Sequence, residues 1–119
     1  MGVAKMGIEK LSENVLLVSL PKEPHLISDE LVTVNKIVGD GHACDVIIDF
    51  SSVTLLTSES ISSLIILEGW LKSFRHKVIL YAVSSMIRQI LERTGIQPLF
   101  EFADDQFAAL QSVQPSSLF

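Results

Sequence analysis

A cluster of hydroxyl side chains around one carboxylate marks the middle of this 119-residue sequence. Residues 55–64 read L-L-T-S-E-S-I-S-S-L, and the polar members are Thr57, Ser58, Glu59, Ser60, Ser62 and Ser63. Hydroxyl oxygens can cap the free N–H groups at a helix start, or they can accept a phosphoryl group from a kinase. The residue types alone therefore predict either a well-capped helix or a docking surface controlled by charge.

Elsewhere the reactive side chains do not combine into a site for catalysis. His25, His42 and His76 lack the spacing of metal ligands, which predicts solvated loop histidines. Cys44 has His42 close in sequence, but a small apolar side chain opening a strand is the interpretation that we favour. No glycine-rich phosphate-binding motif is present. We therefore predict a protein that is not an enzyme and uses no metal or cofactor.

Asp49 ends a predicted buried strand, which is where phospho-receiver domains hold their acceptor. A receiver site also needs an acidic pair after the first strand and a lysine after the last. Here Glu13 stands alone in a turn, and no lysine follows Phe102. Asp49 is instead predicted to hydrogen-bond the loop at Ser51 and Ser52, beside the hydroxyl cluster.

Composition limits the classes of partner and the compartment. Hydrophobic residues make up 48% of the chain, and the net charge is −5 with a pI near 5.0, which argues against nucleic acid. The aliphatic run over residues 64–67 is far shorter than the ~20 residues of a membrane span. The N-terminus lacks the pattern of a signal peptide, and a single cysteine suits a reducing cytoplasm. These features predict a cytoplasmic protein and are compatible with protein partners.

Apolar periodicity predicts an alternation of strands and helices. The predicted strands cover residues 8–11, 15–20, 46–50, 77–83 and 99–102, and the first two form a hairpin. Helices are predicted from residue 27 to Gly39, from Ser58 to Phe74, after Ser84, and from Asp104 through Leu110. Ser28 and Ser84 are the predicted caps, and Gly95 with Ile96 the predicted Schellman ending of the third helix.

This order predicts one small α/β domain over residues 1–119. We expect about five mostly parallel strands with an antiparallel edge strand, packed with about four helices. The core is expected over residues 8–110, and residues 114–119 as a loose tail. The inner side of the second helix is predicted to hold Ile61, Leu64, Leu67, Leu71 and Phe74.

Three segments together resemble a STAS domain, the family that includes bacterial anti-sigma-factor antagonists. They are D-F-S-S-V-T-L-L-T-S-E-S (49–60), K-V-I-L-Y-A-V-S (77–84) and L-E-R-T-G-I-Q-P-L-F (91–100). The resemblance covers about residues 8–110. It implies a non-enzymatic switch that binds an anti-sigma factor with serine-kinase activity and is released when phosphorylated.

The family motif D-S-[ST]-G opens the second helix, and its second hydroxyl residue is the phosphoacceptor. By resemblance, the motif falls on Thr57, Ser58, Glu59 and Ser60, with Glu59 at the acceptor position. Only Ser58 keeps the family residue. Two hypotheses follow: phosphorylation has moved to Ser58, Ser60 or Thr57, or the protein binds its partner without such a switch.

Further residues extend the predicted interaction surface around the hydroxyl cluster. Ser62, Ser63 and Asp49 are predicted to contact the partner, with the loops at residues 21–25 and 39–42 as a rim. Small Ser62 and Gly69 predict close contacts of the second helix, and for Ser62 we favour the sheet.

Ile66 and Trp70 are one helical turn apart, and they predict either a buried face or an anchor for a partner. An anchor would permit the alternative function: a structural scaffold that self-associates through the Trp70 side.

Overall fold

Strands of three to five residues build one mixed sheet, described over residues 7–113 by a computed structural model. Its strands are β1 (Ile8–Ser12), β2 (Val15–Ser19), β3 (Asp45–Asp49), β4 (Val78–Tyr81) and β5 (Glu101–Ala103). They lie in the order β1-β2-β3-β4-β5; β1 is antiparallel to β2, and every other pair is parallel. The helices are α1 (Pro24–Gly39), α2 (Ser58–Ser73), α3 (Ser85–Arg93) and α4 (Gln106–Val113). The predicted fold class is confirmed.

The helices form a layer on each face of the sheet. Because right-handed crossovers join successive parallel neighbours, α1, α2 and α3 cover the same face. Their buried residues join the inward residues of the strands, such as Val46, Ile48 and Phe50, in the larger core. Ile47 points the other way and packs with Ala109 and Val113 of α4. β3 is therefore covered on both faces, as its continuous apolar run predicts.

Local backbone signals in the sequence are confirmed around α3. The Ser84 hydroxyl accepts a hydrogen bond from the Ile87 N–H at 3.2 Å, as an N-cap does. At the other end Gly95 has a φ of 77°, and the Ile96 N–H donates to the Leu91 carbonyl at 3.1 Å. This is the Schellman ending, and it turns the chain toward β5.

The predicted beginnings of two helices are wrong by a few residues. α1 begins at Pro24 rather than after Ser28, with Glu23 at the cap position, because the fixed φ of proline suits the first helical turn. The last helix follows Asp105, not Asp104: the Asp105 carboxylate accepts from the Ala108 N–H at 2.9 Å. The sequence offers two adjacent aspartates there, and the second of them is the cap.

Two other boundaries differ from the prediction. A 3-10 turn over Gln97–Leu99, with Pro98 inside it, delays the last strand to Glu101–Ala103. Phe74 was predicted to face inward but is 47% exposed, because α2 ends at Ser73.

The predicted tail over residues 114–119 lies outside the described residues. Over residues 7–113, no helix combines the length and the hydrophobicity that crossing a membrane requires.

Candidate functional site

The hydroxyl cluster forms the start of α2, as the sequence predicts. Thr57 is the N-cap, and its Oγ1 accepts from the Ser60 N–H at 3.1 Å. Its carbonyl accepts from the Ile61 N–H at 3.0 Å. The N–H groups of Ser58 and Glu59, at the first two helical positions, have no acceptor within a helix. The amino end of α2 therefore keeps a partial positive charge beside the exposed Glu59 carboxylate.

The cluster divides into exposed and buried members. Ser58, Glu59 and Ser62 are exposed, and Thr57 is half-buried. Ser60 is 0% exposed and its hydroxyl oxygen accepts from the Thr57 hydroxyl at 3.2 Å, so a kinase has no access to it in the folded protein. The prediction of Ser60 as a phosphorylation site is wrong, because Ser60 lies on the inner side of α2 with Leu64 and Leu67.

A shallow groove of about 430 Å³ runs between α1 and α2 beside this helix start. It is lined by Ser28, Val32, Ser58, Glu59, Ser62 and Ser63. The side-chain amide of Asn35 donates to the Ser63 carbonyl at 3.0 Å and ties the two helices together below it. Ser62 therefore faces the groove rather than the sheet, contrary to the prediction that we favoured. Ser63 lines the groove floor but is only 8% exposed, which leaves it little surface for a partner.

The contribution of α1 to this groove was not predicted from the sequence. The sequence predicts Ser28 as a cap and gives Val32 no role. Val32 is 54% exposed and lies off the inner stripe of α1, which is Ile27, Leu31, Val34 and Val38. An apolar residue between the polar positions of an amphipathic helix was the available signal.

Asp49 holds the loop that leads to α2, as predicted for Ser51. Its Oδ1 accepts from the Ser51 N–H at 2.8 Å. Its neighbour across the ladder is Tyr81, which belongs to the α4 side of the sheet. The structure therefore places Asp49 on the opposite side of the sheet from the α1–α2 groove, and Asp49 supports the loop instead of lining the groove.

Tyr81, the single tyrosine of the chain, allows the surroundings of Asp49 to be tested. The Tyr81 hydroxyl donates to Gln106 Oε1 at 3.2 Å, and burial, with the Asp49 carboxylate nearby, raises the pKa of Tyr81 to about 12. Since the unfolded chain ionises near pH 10, the folded state binds the proton more tightly. The free energy of unfolding should therefore fall as the pH rises from about 10 toward 12.

Two measurements check this alkaline effect. Ultraviolet absorbance should give a phenolate titration midpoint near 12 in the folded protein. Tyr81→Phe should remove this contribution to the pH dependence of denaturant unfolding. An ordinary tyrosine midpoint, or an alkaline loss that is identical in Tyr81→Phe, would contradict it.

The Ile66 and Trp70 side chains are exposed, so the prediction of a buried face is wrong. Trp70 stacks on Phe74, with the ring centroids 6.5 Å apart and the planes within 6°. Its edge also lies against Gly39 at the end of α1, where an added Cβ would be 3.4 Å from the ring. Residues 39–42 thus lie at the opposite end of α1 from the hydroxyl cluster, which excludes them from its rim.

Titratable groups elsewhere support the structure. His76 Nδ1 lies 3.1 Å from Asp45 Oδ1, which also accepts from the Lys77 N–H at 2.9 Å, so His76 is not simply solvated as predicted. Burial, and then the charge of Asp45, raises the pKa of the Cys44 thiol, which disfavours a nucleophilic thiolate. Over residues 7–113, no three metal-binding side chains lie close enough to hold an ion.

The cap predicts a measurable contribution to stability. Thr57→Ala should lower the free energy of unfolding by about 1 kcal/mol, because the Ser60 N–H loses its acceptor. Chemical denaturation measures the change. The control Ser85→Ala, at an exposed position just after the Ser84 cap, should change it by less than about 0.5 kcal/mol. Equal effects of the two substitutions would contradict a capping role for Thr57.

Solved structures with the same fold were found, although no protein-family model and no curated protein matches the sequence. An anti-sigma-factor antagonist (STAS) domain protein from Planctomyces limnophilus is 19% identical, with a TM-score of 0.75 over 91% of this chain and 98% of that one. The anti-sigma factor antagonist SpoIIAA in its unphosphorylated form is 15% identical, with a TM-score of 0.73 over 88% and 93%.

A third neighbour carries a serine-to-glutamate substitution. It is a variant of RsbS from Moorella thermoacetica, 16% identical, with a TM-score of 0.68 over 91% of this chain and 96% of that one. All three neighbours share one small domain with this chain across nearly its whole length. The mixed five-stranded sheet and its four helices give this protein the fold of a STAS domain.

Proposed function

We propose that this protein is a non-enzymatic interaction module of the anti-sigma-factor antagonist type. Its partner is an anti-sigma factor with serine-kinase character, and it docks on the amino end of α2 and the α1–α2 groove. The observation that carries the proposal is the exposure of Ser58 and Glu59 at a capped helix start, beside a groove lined by two helices. The shared fold of SpoIIAA supports the class of partner.

Charge at the amino end of α2 is the proposed control. The helix dipole stabilises a negative group there by about 0.3–1 kcal/mol, so Glu59 is compatible with the fold. A phosphate would carry a charge of about −1.5 to −2 and three acceptor oxygens at the same place. Since Ser58 is exposed at the first helical position, a phosphate on it would change the docking surface without entering the core.

Binding to a purified partner tests the proposal. Isothermal titration calorimetry with each anti-sigma factor of the serine-kinase type from the host should reveal saturable binding by one of them. Ser58→Glu adds a charge at the docking surface and should weaken that binding at least about tenfold. Ser85→Glu, a serine-to-glutamate change at the exposed start of α3, is the control and should leave it unchanged. Absence of binding to every such factor would refute the proposed partner class.

Phosphorylation is tested separately by intact mass. With the partner kinase and ATP, the native chain should gain one phosphate, lost in Ser58→Ala. An unmodified native chain would refute the proposal for Ser58. Glu59→Ser restores a hydroxyl at the family acceptor position, so this variant should gain a phosphate even when Ser58 is replaced by alanine.

A second candidate function is a scaffold subunit that phosphorylation does not switch. It is favoured by Glu59, which is exposed at the acceptor position and holds a permanent charge there. Size-exclusion chromatography with light scattering separates the two functions. A large assembly that persists in the presence of kinase and ATP would favour the scaffold.

A further inference from the structure

The solvent-facing side of α2 has almost no charge, which is unusual for a surface helix. This outer face consists of Ser58, Ser62, Ile65, Ile66, Gly69, Trp70 and Ser73, all of them exposed. α2 has three charged residues. Two of them, Glu68 and Lys72, lie on another side of the helix and line a cavity together with residues at the start of β5. The third, Glu59, is at the amino end. Ile66 is 52% and Trp70 41% exposed, so α2 presents apolar surface to solvent as well as to the core.

Gly69 has no close neighbour among residues 7–113 that explains it. A Cβ added there would meet nothing within 4 Å, so the described part of the chain does not make the close contact predicted from the sequence. A glycine inside a helix costs about 1 kcal/mol relative to alanine. Because glycine has no side chain, another helix can approach closely at this position. Ser73 is also small, and its hydroxyl is turned back onto its own helix, where it donates to the Trp70 carbonyl at 2.8 Å. Another helix can therefore approach closely at Ser73 as well.

We propose that the outer face of α2 pairs with the same face of a second copy of this chain, in an antiparallel, two-fold arrangement. With the axis midway between residues 67 and 68, Ile66 lies on the partner's Gly69. In the same register Ile65 lies on the partner's Trp70, and Ser62 opposite the partner's Ser73. Gly69 therefore makes room for the partner's Ile66, while Ile65 and Trp70 form an apolar pair across the interface. Each contact occurs twice, as an interface related by a two-fold axis requires.

The charges at the two ends of α2 favour the same orientation. Glu59 is at the amino end, whereas the exposed Arg75 lies just past the carboxyl end. Antiparallel pairing brings Glu59 of one copy to the basic end of the other, and it also pairs opposite ends of the helix dipoles. A parallel pair would place like charges together. Trp70 is already held against Phe74 and Gly39, so little side-chain freedom is lost on pairing.

The concentration dependence of mass, measured by sedimentation equilibrium on the purified chain, tests the pairing. The native chain should form a dimer with a dissociation constant in the micromolar range. Gly69→Leu should raise that constant at least about tenfold, because the added side chain occupies the space for the partner's Ile66. At concentrations where the native chain is also monomeric, its unfolding midpoint should not fall, since leucine is the better helix former. Phe107→Leu, at an exposed position on α4, is the control and should change neither value.

Cysteine cross-linking tests the register. The double variant Ser62→Cys/Ser73→Cys should give a covalent dimer on mild oxidation, while native Cys44 is buried. Neither single variant should form a covalent dimer. In an antiparallel pair, residue 62 of one copy lies about 16 Å along the helix from residue 62 of the other, which is beyond the reach of a disulfide.

A chain that is monomeric at all concentrations, or a dimer that Gly69→Leu leaves intact, would overturn the pairing. Cross-linking of the single variants as efficiently as the double variant would overturn the antiparallel register, and a dimer that yields no double-variant product would do the same. The inference does not rest on the proposed anti-sigma partner, but the outer face shares Ser58 and Ser62 with the proposed docking surface, so the dimer and the partner complex are alternative states of the chain. All measurements use this chain alone, so their failure would leave the proposed function unaffected.

Discussion

Phe50→Ala is expected to lower the free energy of unfolding by about 3–5 kcal/mol. Phe50 directly follows β3, is 1% exposed, and belongs to the larger core. Its N–H donates to the Tyr81 carbonyl at 3.0 Å, and its carbonyl accepts from Val53 at the turn that leads to α2. The substitution therefore leaves a cavity at the point where the core supports the docking loop. A loss of this size is a large share of the ~5–15 kcal/mol that stabilises a typical domain.

Urea denaturation followed by circular dichroism measures this loss. Phe107→Ala is a matched control, because the same atoms are removed from a side chain that is 70% exposed on α4. It should change the free energy of unfolding by less than about 0.5 kcal/mol. Similar losses in the two variants would show that burial of Phe50 does not determine the effect.

The architecture could be predicted from the sequence because buried strands and helices each require a characteristic spacing of apolar residues. The continuous apolar run of β3 could only be a strand covered on both faces, and the structure has helices on both sides of it. Ser84 and Gly95 were equally informative, since each satisfies a need of the local backbone: a hydroxyl acceptor at a helix start and a positive φ at a helix end. Such signals do not depend on the rest of the fold.

The errors arose where several residues could meet the same local need. Ser28 and Pro24 both suit a helix start, and the choice depends on where the chain leaves β2. Ser60 was grouped with its neighbours by residue type, although the spacing of residues 60, 64, 67 and 71 places it on the inner side of α2. Hydroxyl side chains tolerate either environment, so composition alone did not separate the buried serine from the exposed Ser58.

The groove depends on packing between helices that are distant in sequence, so no local pattern predicted it. Val32 meets the hydroxyl cluster because α1 and α2 lie side by side on one face of the sheet. The Asn35 hydrogen bond to the Ser63 carbonyl fixes that arrangement across 28 residues of sequence. The docking surface therefore combines two separate segments: the charged helix start, and Ser28 with Val32 from α1.

Val32→Trp is the substitution expected to affect partner binding most strongly. Because Val32 is 54% exposed at the groove wall, indole can be added without entering the core. It should fill the space in which the proposed partner docks and raise the dissociation constant by about 100-fold, a loss of about 2.7 kcal/mol. The free energy of unfolding should stay within about 0.5 kcal/mol of the native value.

Calorimetric titration with the anti-sigma factor identified by binding measures this effect. Gln111→Trp adds the same side chain at an exposed position of α4, on the other face of the sheet, and should leave the affinity unchanged. Undiminished affinity in Val32→Trp would show that the partner binds elsewhere, since a groove filled by indole has no room for a second protein.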